Sequence, residues 1–186
     1  MHRLAVHLFG LPEVMIEGAP AAGLRSEKAL ALLSYLAIES DRAHRREKLA
    51  GLLWPGYTER SARANLRRAL ADLRRAMGAA SPSSDTPALY LLTTRQTVQF
   101  DISSDAWVDV TAFCTLLEPP LSLESPPSQL EHAVKLYRGA FLDGFSVADG
   151  AAFEEWTLLT RERLQRQALE GLHHLVIAYQ ERGEYE

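Results

Sequence analysis

Between Thr58 and Met77 the chain reads TERSARANLRRALADLRRAM, a run in which apolar and cationic residues each keep helical spacing. On a helix turning about 100° per residue, Leu66, Leu70, Leu73 and Met77 share one arc, and Arg60, Arg63, Arg67 and Arg74 share the adjoining one. One side is suited to a core and its neighbour to a polyanion. Between that stripe and Arg68 and Arg75 lie Ala64 and Ala71, small enough to let the helix axis come close to a groove floor. The run holds six arginines and only two acids, Glu59 and Asp72, so a solvated face of ion pairs does not account for it. Arg60, Arg63 and Arg67, in the N-terminal half, are candidates for base edges, where a guanidinium donates two bonds to a guanine. Arg68, Arg74 and Arg75 are candidates for phosphates or a neighbouring protomer, and Asn65 points away from the centre of the stripe.

The net charge of −4 argues against a nucleic-acid partner until it is resolved along the chain. Residues 1–100 carry 14 Lys and Arg against 9 Asp and Glu, a net of +5, whereas residues 101–186 carry 6 against 15, a net of −9. A basic first half can neutralise phosphates, while the acidic second half is repelled by them and is expected to meet a protein. With 186 residues there is material for two small domains, each with its own core. No apolar run approaches the roughly 20 residues of a membrane span, and no segment reads as a signal peptide. A single cysteine, Cys114, fits a reducing compartment, so a cytoplasmic protein without membrane contact is expected.

Residues 3–9, RLAVHLF, and Glu13 to Glu17 alternate like strands around the turn Gly10-Leu11-Pro12. Ser26 is placed to cap a helix running to Glu39, and His44-Arg45-Arg46 precede a second helix that Pro55-Gly56 ends. Thr58 caps the third. After the Ser/Pro-rich AASPSSDTPA following Gly78 come two β-prone runs, Leu89 to Thr93 and Thr97 to Ile102, joined by Thr94-Arg95-Gln96. Strands, three helices and a hairpin follow the order of a winged helix. Downstream, Asp109 is placed to cap a short helix through Leu117, a Pro/Ser-rich stretch spans Pro119 to Ser128, and the remainder is helical. Gln129 to Arg138 forms one segment, GAFLDGF a turn, and Ala151 to Arg182 one long helix with Gly183 as its stop. The chain ends at GEYE, where another helix of a repeat array would begin, and a longer full protein is expected.

Arg45 and Arg46, before the second helix, are candidates for backbone phosphates, as is Arg95 at the hairpin tip. Trp54, Phe153 and Trp156 read as core, the last two as core of the second domain. His173 and His174 point about 100° apart on a helix and the remaining histidines form no cluster, so no metal site is expected. Glu154-Glu155 and the other acids lack a paired nucleophile or base, so no catalytic residue and no cofactor are expected. Cys114 sits on an apolar face and reads as buried and inert.

Several segments carry a family resemblance: LAVHLFG from Leu4, REKLAGLLWP from Arg46, RSARANLRRALADLRRAMG from Arg60, VDVTAF from Val108, and LYRGAFLDGF from Leu136 followed by FEEW. The first half resembles the OmpR-type winged helix. The two halves together resemble the SARP family of bacterial activators, in which that domain precedes a helical bacterial transcriptional activation domain. The resemblance implies a mainly α fold with small β-sheets, residues 1–102 forming an OmpR-like winged helix-turn-helix and residues 103–186 a TPR-like helical domain cut short at its C-terminal end. It implies double-stranded DNA as a partner, with Thr58 to Met77 in the major groove and Thr94, Arg95 and Gln96 as the wing tip. It also implies a homodimer on direct repeats, with Pro55, Gly56 and Tyr57 facing RNA polymerase, although this loop is shorter than the family's. Two alternatives stay open: a protein-interaction scaffold built on the helical half, and the N-terminal part of a larger NTP-dependent regulator, although no GxxxxGK[ST] motif occurs here.

Overall fold

The computed structural model describes residues 3–24, 26–77, 90–118 and 126–182. The Ser/Pro-rich stretch after Gly78, Leu89, Pro119 to Ser125 and the expected stop at Gly183 lie outside the described residues. Among the described residues the fold is mainly helical with two small sheets. In order along the chain run β1 (Leu4–His7), β2 (Glu13–Ile16), β3 (Ala19–Pro20), α1 (Glu27–Ile38), β4 (His44–Arg45), α2 (Arg46–Leu53) and α3 (Glu59–Ala76). Then follow β5 (Leu91–Thr93), β6 (Thr97–Phe100), β7 (Ala106–Val108), α4 (Asp109–Leu116), α5 (Pro127–Leu136) and α6 (Ala151–Arg182). No helix among the described residues is long and apolar enough to cross a membrane.

Packing gathers the chain into two units, and the chain crosses between them more often than a single boundary after residue 102 would require. The first unit holds residues 1–6, 13–107 and 146–156; the second holds 7–12, 108–145 and 157–186.

In the first unit, Ser26 caps α1 by accepting from the Ala29 N–H, and Thr58 caps α3 by accepting from the Ser61 N–H. Each cap satisfies a donor that the first helical turn leaves without a partner. The core is made by Leu32, Leu33 and Leu36 of α1, Leu49 and Leu53 of α2, Leu66, Leu70 and Leu73 of α3, and Val98 and Phe100 of β6, all buried. Ala62, Ala69 and Ala76 extend the buried face of α3, so the core arc is wider than the leucine seam alone. Trp54 is buried as expected. The sheet order β4-β6-β5 pairs His44 with Val98 and Arg45 with Thr97, and Thr93 with Val98 on the other side. The two-residue strand β4 is absent from the sequence reading because His44-Arg45 is too short to show alternation; its pairing comes from β6.

Phe153 and Trp156 correct an expectation: they belong to the first unit, not to the core of a second domain. The Trp156 ring packs edge-on against Tyr35 at 4.9 Å, and its indole N–H donates to the Glu39 carboxylate at 3.1 Å. A large ring with one polar edge settles where both needs are met, and the end of α1 offers both.

The second unit centres on Phe9, Phe113 and Tyr137, whose rings lie 4.9–5.9 Å apart. Asp109 is the first residue of α4, not its cap, which is Val108. Its fully buried carboxylate accepts from the backbone N–H groups of Leu8, Phe9 and Val110 at 2.7–3.0 Å. The GAFLDGF turn pairs Phe141 with Phe9, and Leu142 donates to the Leu8 carbonyl. A Cβ at position 139 would stand 3.2 Å from the Gly10 Cα, so any larger residue there would press on that backbone. Arg161 of α6 closes the turn by donating to the Phe141 and Leu142 carbonyls. Pro127 opens α5, a position where its missing N–H costs nothing. Along α6, Leu164 and Leu175 are buried, while Leu159, Leu169, Leu172 and Val176 of the apolar repeat stay exposed.

Candidate nucleic-acid interface

Three elements of the first unit bring five guanidiniums to one place. A cleft of about 480 Å³ is lined by Arg45, Arg46 and Glu47 at the start of α2, Arg63, Leu66 and Arg67 on α3, and Arg95, Gln96 and Thr97 on the hairpin. Five arginines and one glutamate give these walls a net charge of +4. The helix supplies one wall because its leucine arc is buried and its arginine arc is left outside. The hairpin supplies the other because its turn is held by its own side chain: the Thr94 hydroxyl accepts from the N–H groups of Gln96 and Thr97. That leaves Arg95 and Gln96 exposed at the tip.

Arg46 joins the walls. Its backbone N–H donates to the Gln96 carbonyl at 2.9 Å and its Nε to the Thr94 carbonyl at 3.0 Å. Burial, with the positive Arg74 and Arg67 nearby, lowers its pKa from the ordinary arginine value. Like charges held together in a partly desolvated cleft favour an anion that can satisfy several at once. Among the described residues the side chains of Arg45, Arg67 and Arg95 have no hydrogen bond or ion pair, so their donors are open to a ligand.

The remaining sequence candidates take different places. Arg63 is held by two carboxylates, Glu47 at 2.7 Å and Glu59 at 2.5 Å. Glu47 escapes a reading of the helix alone because it lies sixteen residues upstream and reaches the site only through the packing of α2 on α3. Arg74 is half-buried and donates to the Thr93 hydroxyl at 2.5 Å, tying α3 to the base of the hairpin. Arg60 is exposed on the first turn of α3, and Ala64 is half-buried beside the stripe; neither lines the cleft. Arg75 pairs with Asp72. Arg68 lines a second groove of about 260 Å³ with Ser26, Lys28, Trp54, Tyr57, Asn65, Ala69 and Asp72.

Beside that groove, Pro55, Gly56 and Tyr57 are exposed. Lys28 Nζ caps the end of α2 by donating to the Leu53 carbonyl at 2.6 Å and stands over the Trp54 and Tyr57 rings. Burial lowers the Lys28 pKa, with Asp149 opposing. The Pro55-Gly56-Tyr57 loop is therefore short and held, and displays one half-exposed tyrosine.

No group of three or more His, Cys, Asp or Glu placed to hold a metal ion occurs among the described residues. Cys114 is half-buried against Gln167, and burial raises its thiol pKa, which keeps it in the poorly nucleophilic thiol form.

Thr58 controls how firmly the arginine helix begins. Thr58→Ala is expected to lower stability by about 1 kcal/mol, read as a drop in the urea midpoint, whereas Thr58→Ser, which keeps the hydroxyl, should stay near the parent.

No protein-family model matches the chain, and no curated protein matches it in sequence. Among solved structures its fold is similar to that of Mycobacterium tuberculosis EmbR in complex with a low-affinity phosphopeptide, with a TM-score of 0.76 and 22% identity. The similarity covers 99% of this chain and 47% of that one, so this chain spans about half the length of the protein it matches in fold.

Proposed function

We propose that this protein is a DNA-binding transcription regulator of the SARP type, whose winged helix engages double-stranded DNA through the cleft between α3 and the hairpin. The observation that carries the reading is the convergence of Arg45, Arg46, Arg63, Arg67 and Arg95 from three separate elements on one cleft. A helix flanked by a hairpin is a geometry that fits duplex DNA, the helix in a major groove and the hairpin tip on the adjoining backbone. The fold likeness to EmbR and the sequence resemblance point the same way.

In this reading residues 1–102 form the DNA-binding domain and residues 103–186 a TPR-like activation domain. Arg63 and Arg67 face base edges; Arg45, Arg46, Arg95 and the hairpin-tip Thr94 and Gln96 face phosphates; Arg60, Ala64, Arg68 and Arg74 complete the surface at its edges. Two protomers bind a direct repeat in the cytoplasm, and the Pro55-Gly56-Tyr57 loop meets RNA polymerase to activate transcription. The protein is read as carrying out no reaction and using no cofactor; Asp109, the one buried carboxylate among the described residues, is already occupied by backbone donors. One observation favours a second, protein-binding role for the helical half: α6 exposes Leu159, Leu169, Leu172 and Val176.

The test is selection from duplexes with a randomised centre. The parent chain should enrich a common sequence, and Arg63→Ala with Arg67→Ala should lose preference for it more than total binding, by roughly 1–3 kcal/mol of discrimination per base contact. An unchanged preference contradicts the assigned roles, and a parent chain that retains no duplex contradicts the function.

A further inference from the structure

We propose that Glu47 is a specificity-determining residue of this surface: it withholds Arg63 from the phosphate backbone and leaves it available to a base edge. The inference rests on the cleft being a duplex DNA site.

Glu47 is the one acid among the described residues that line the cleft. Its carboxylate stands 2.7 Å from Arg63 Nη2, and Glu59 takes the same nitrogen at 2.5 Å. Both carboxylates therefore crowd one corner of the guanidinium. A guanidinium carries five N–H donors in a planar fork, and the described residues provide no acceptor for Nη1 or Nε of Arg63. The charge of Arg63 is offset while part of its fork remains open.

This arrangement treats two parts of DNA differently. A phosphate brought to Arg63 meets two carboxylates beside it, and the like-charge repulsion cancels the attraction. A guanine edge carries no net charge and presents O6 and N7 to the open part of the fork. The carboxylate of Glu47 itself can accept from a cytosine amine. Arg45 and Arg95, with no carboxylate on them, are free to serve phosphates. Because Arg63 is already held in one orientation, less side-chain freedom is lost when a base is met.

The experiment compares the parent with Glu47→Gln and Glu59→Gln, using an unselected pool of short duplexes and the sequence the parent enriches. Glu47 is exposed, so Glu47→Gln is expected to melt with the parent. Glu47→Gln should bind the unselected pool roughly two- to fivefold more tightly, the scale of an exposed ion pair, and the ratio of selected to unselected affinity should fall by at least as much. Glu59→Gln should change pool binding less, because Glu59 does not line the cleft. Unchanged or weaker pool binding by Glu47→Gln, or equal effects of the two variants, overturns the role of Glu47 while leaving the DNA site standing. Failure of the parent to bind any duplex overturns both.

Discussion

Asp109→Ala is expected to lower the stability of the protein by about 3–5 kcal/mol, the scale for leaving several buried hydrogen-bond donors without an acceptor. The carboxylate is fully buried and gathers the N–H groups of Leu8, Phe9 and Val110, two of them about a hundred residues away in sequence. Arg138 Nη2, 3.7 Å from Oδ2, supplies the nearby positive charge and also meets His7 Nδ1 at 2.9 Å. Alanine leaves three buried donors without an acceptor, each costing about 1–3 kcal/mol, and removes the link between the Leu8–Phe9 segment and α4. Asp109→Asn keeps one acceptor oxygen but turns an amide N–H toward backbone donors, so it should lie between parent and alanine. Urea unfolding followed by circular dichroism measures this; a loss below about 1 kcal/mol for Asp109→Ala contradicts the assigned role.

The second large effect concerns the cleft. Reversing one charge on each wall, Arg67→Glu with Arg95→Glu, should weaken binding to the enriched duplex by roughly 100-fold at moderate salt and flatten the salt dependence by about one unit, the share of the phosphate-facing Arg95. Both residues lack a protein partner among the described residues, so the change removes ligand contacts without breaking folded-state ones. The same reversal at Arg163 and Arg166, exposed on α6 in the second unit, shifts net charge equally and should change binding far less. Equal losses from the two pairs would assign the attraction to overall charge and not to the cleft.

What could be read from the sequence was what local pattern encodes. Ser26 and Thr58 announce their helices because a cap needs one hydroxyl beside an apolar period, and Trp54 reads as core from its neighbours alone. The arginine stripe is visible for the same reason: helical spacing places Arg60, Arg63, Arg67 and Arg74 together whatever the fold does. What the sequence hides is set by partners far along the chain. His44 and Arg45 become a strand only because Val98 and Thr97 pair with them. Trp156 joins the first unit because Glu39 and Tyr35 suit its two edges. Asp109 looks like a cap and is instead the acceptor for Leu8 and Phe9. In the site, counting acids along α3 misses Glu47, and counting arginines misses that Arg74 is bound to Thr93.

The most direct measurement is the affinity of the chain for an unselected duplex across a series of salt concentrations. Five guanidiniums in one cleft, one of them offset by Glu47, should displace about four counterions, so log K should fall against log salt with a slope near −4. A slope close to zero, or no retention of duplex at low salt, would contradict a cleft that neutralises DNA phosphates.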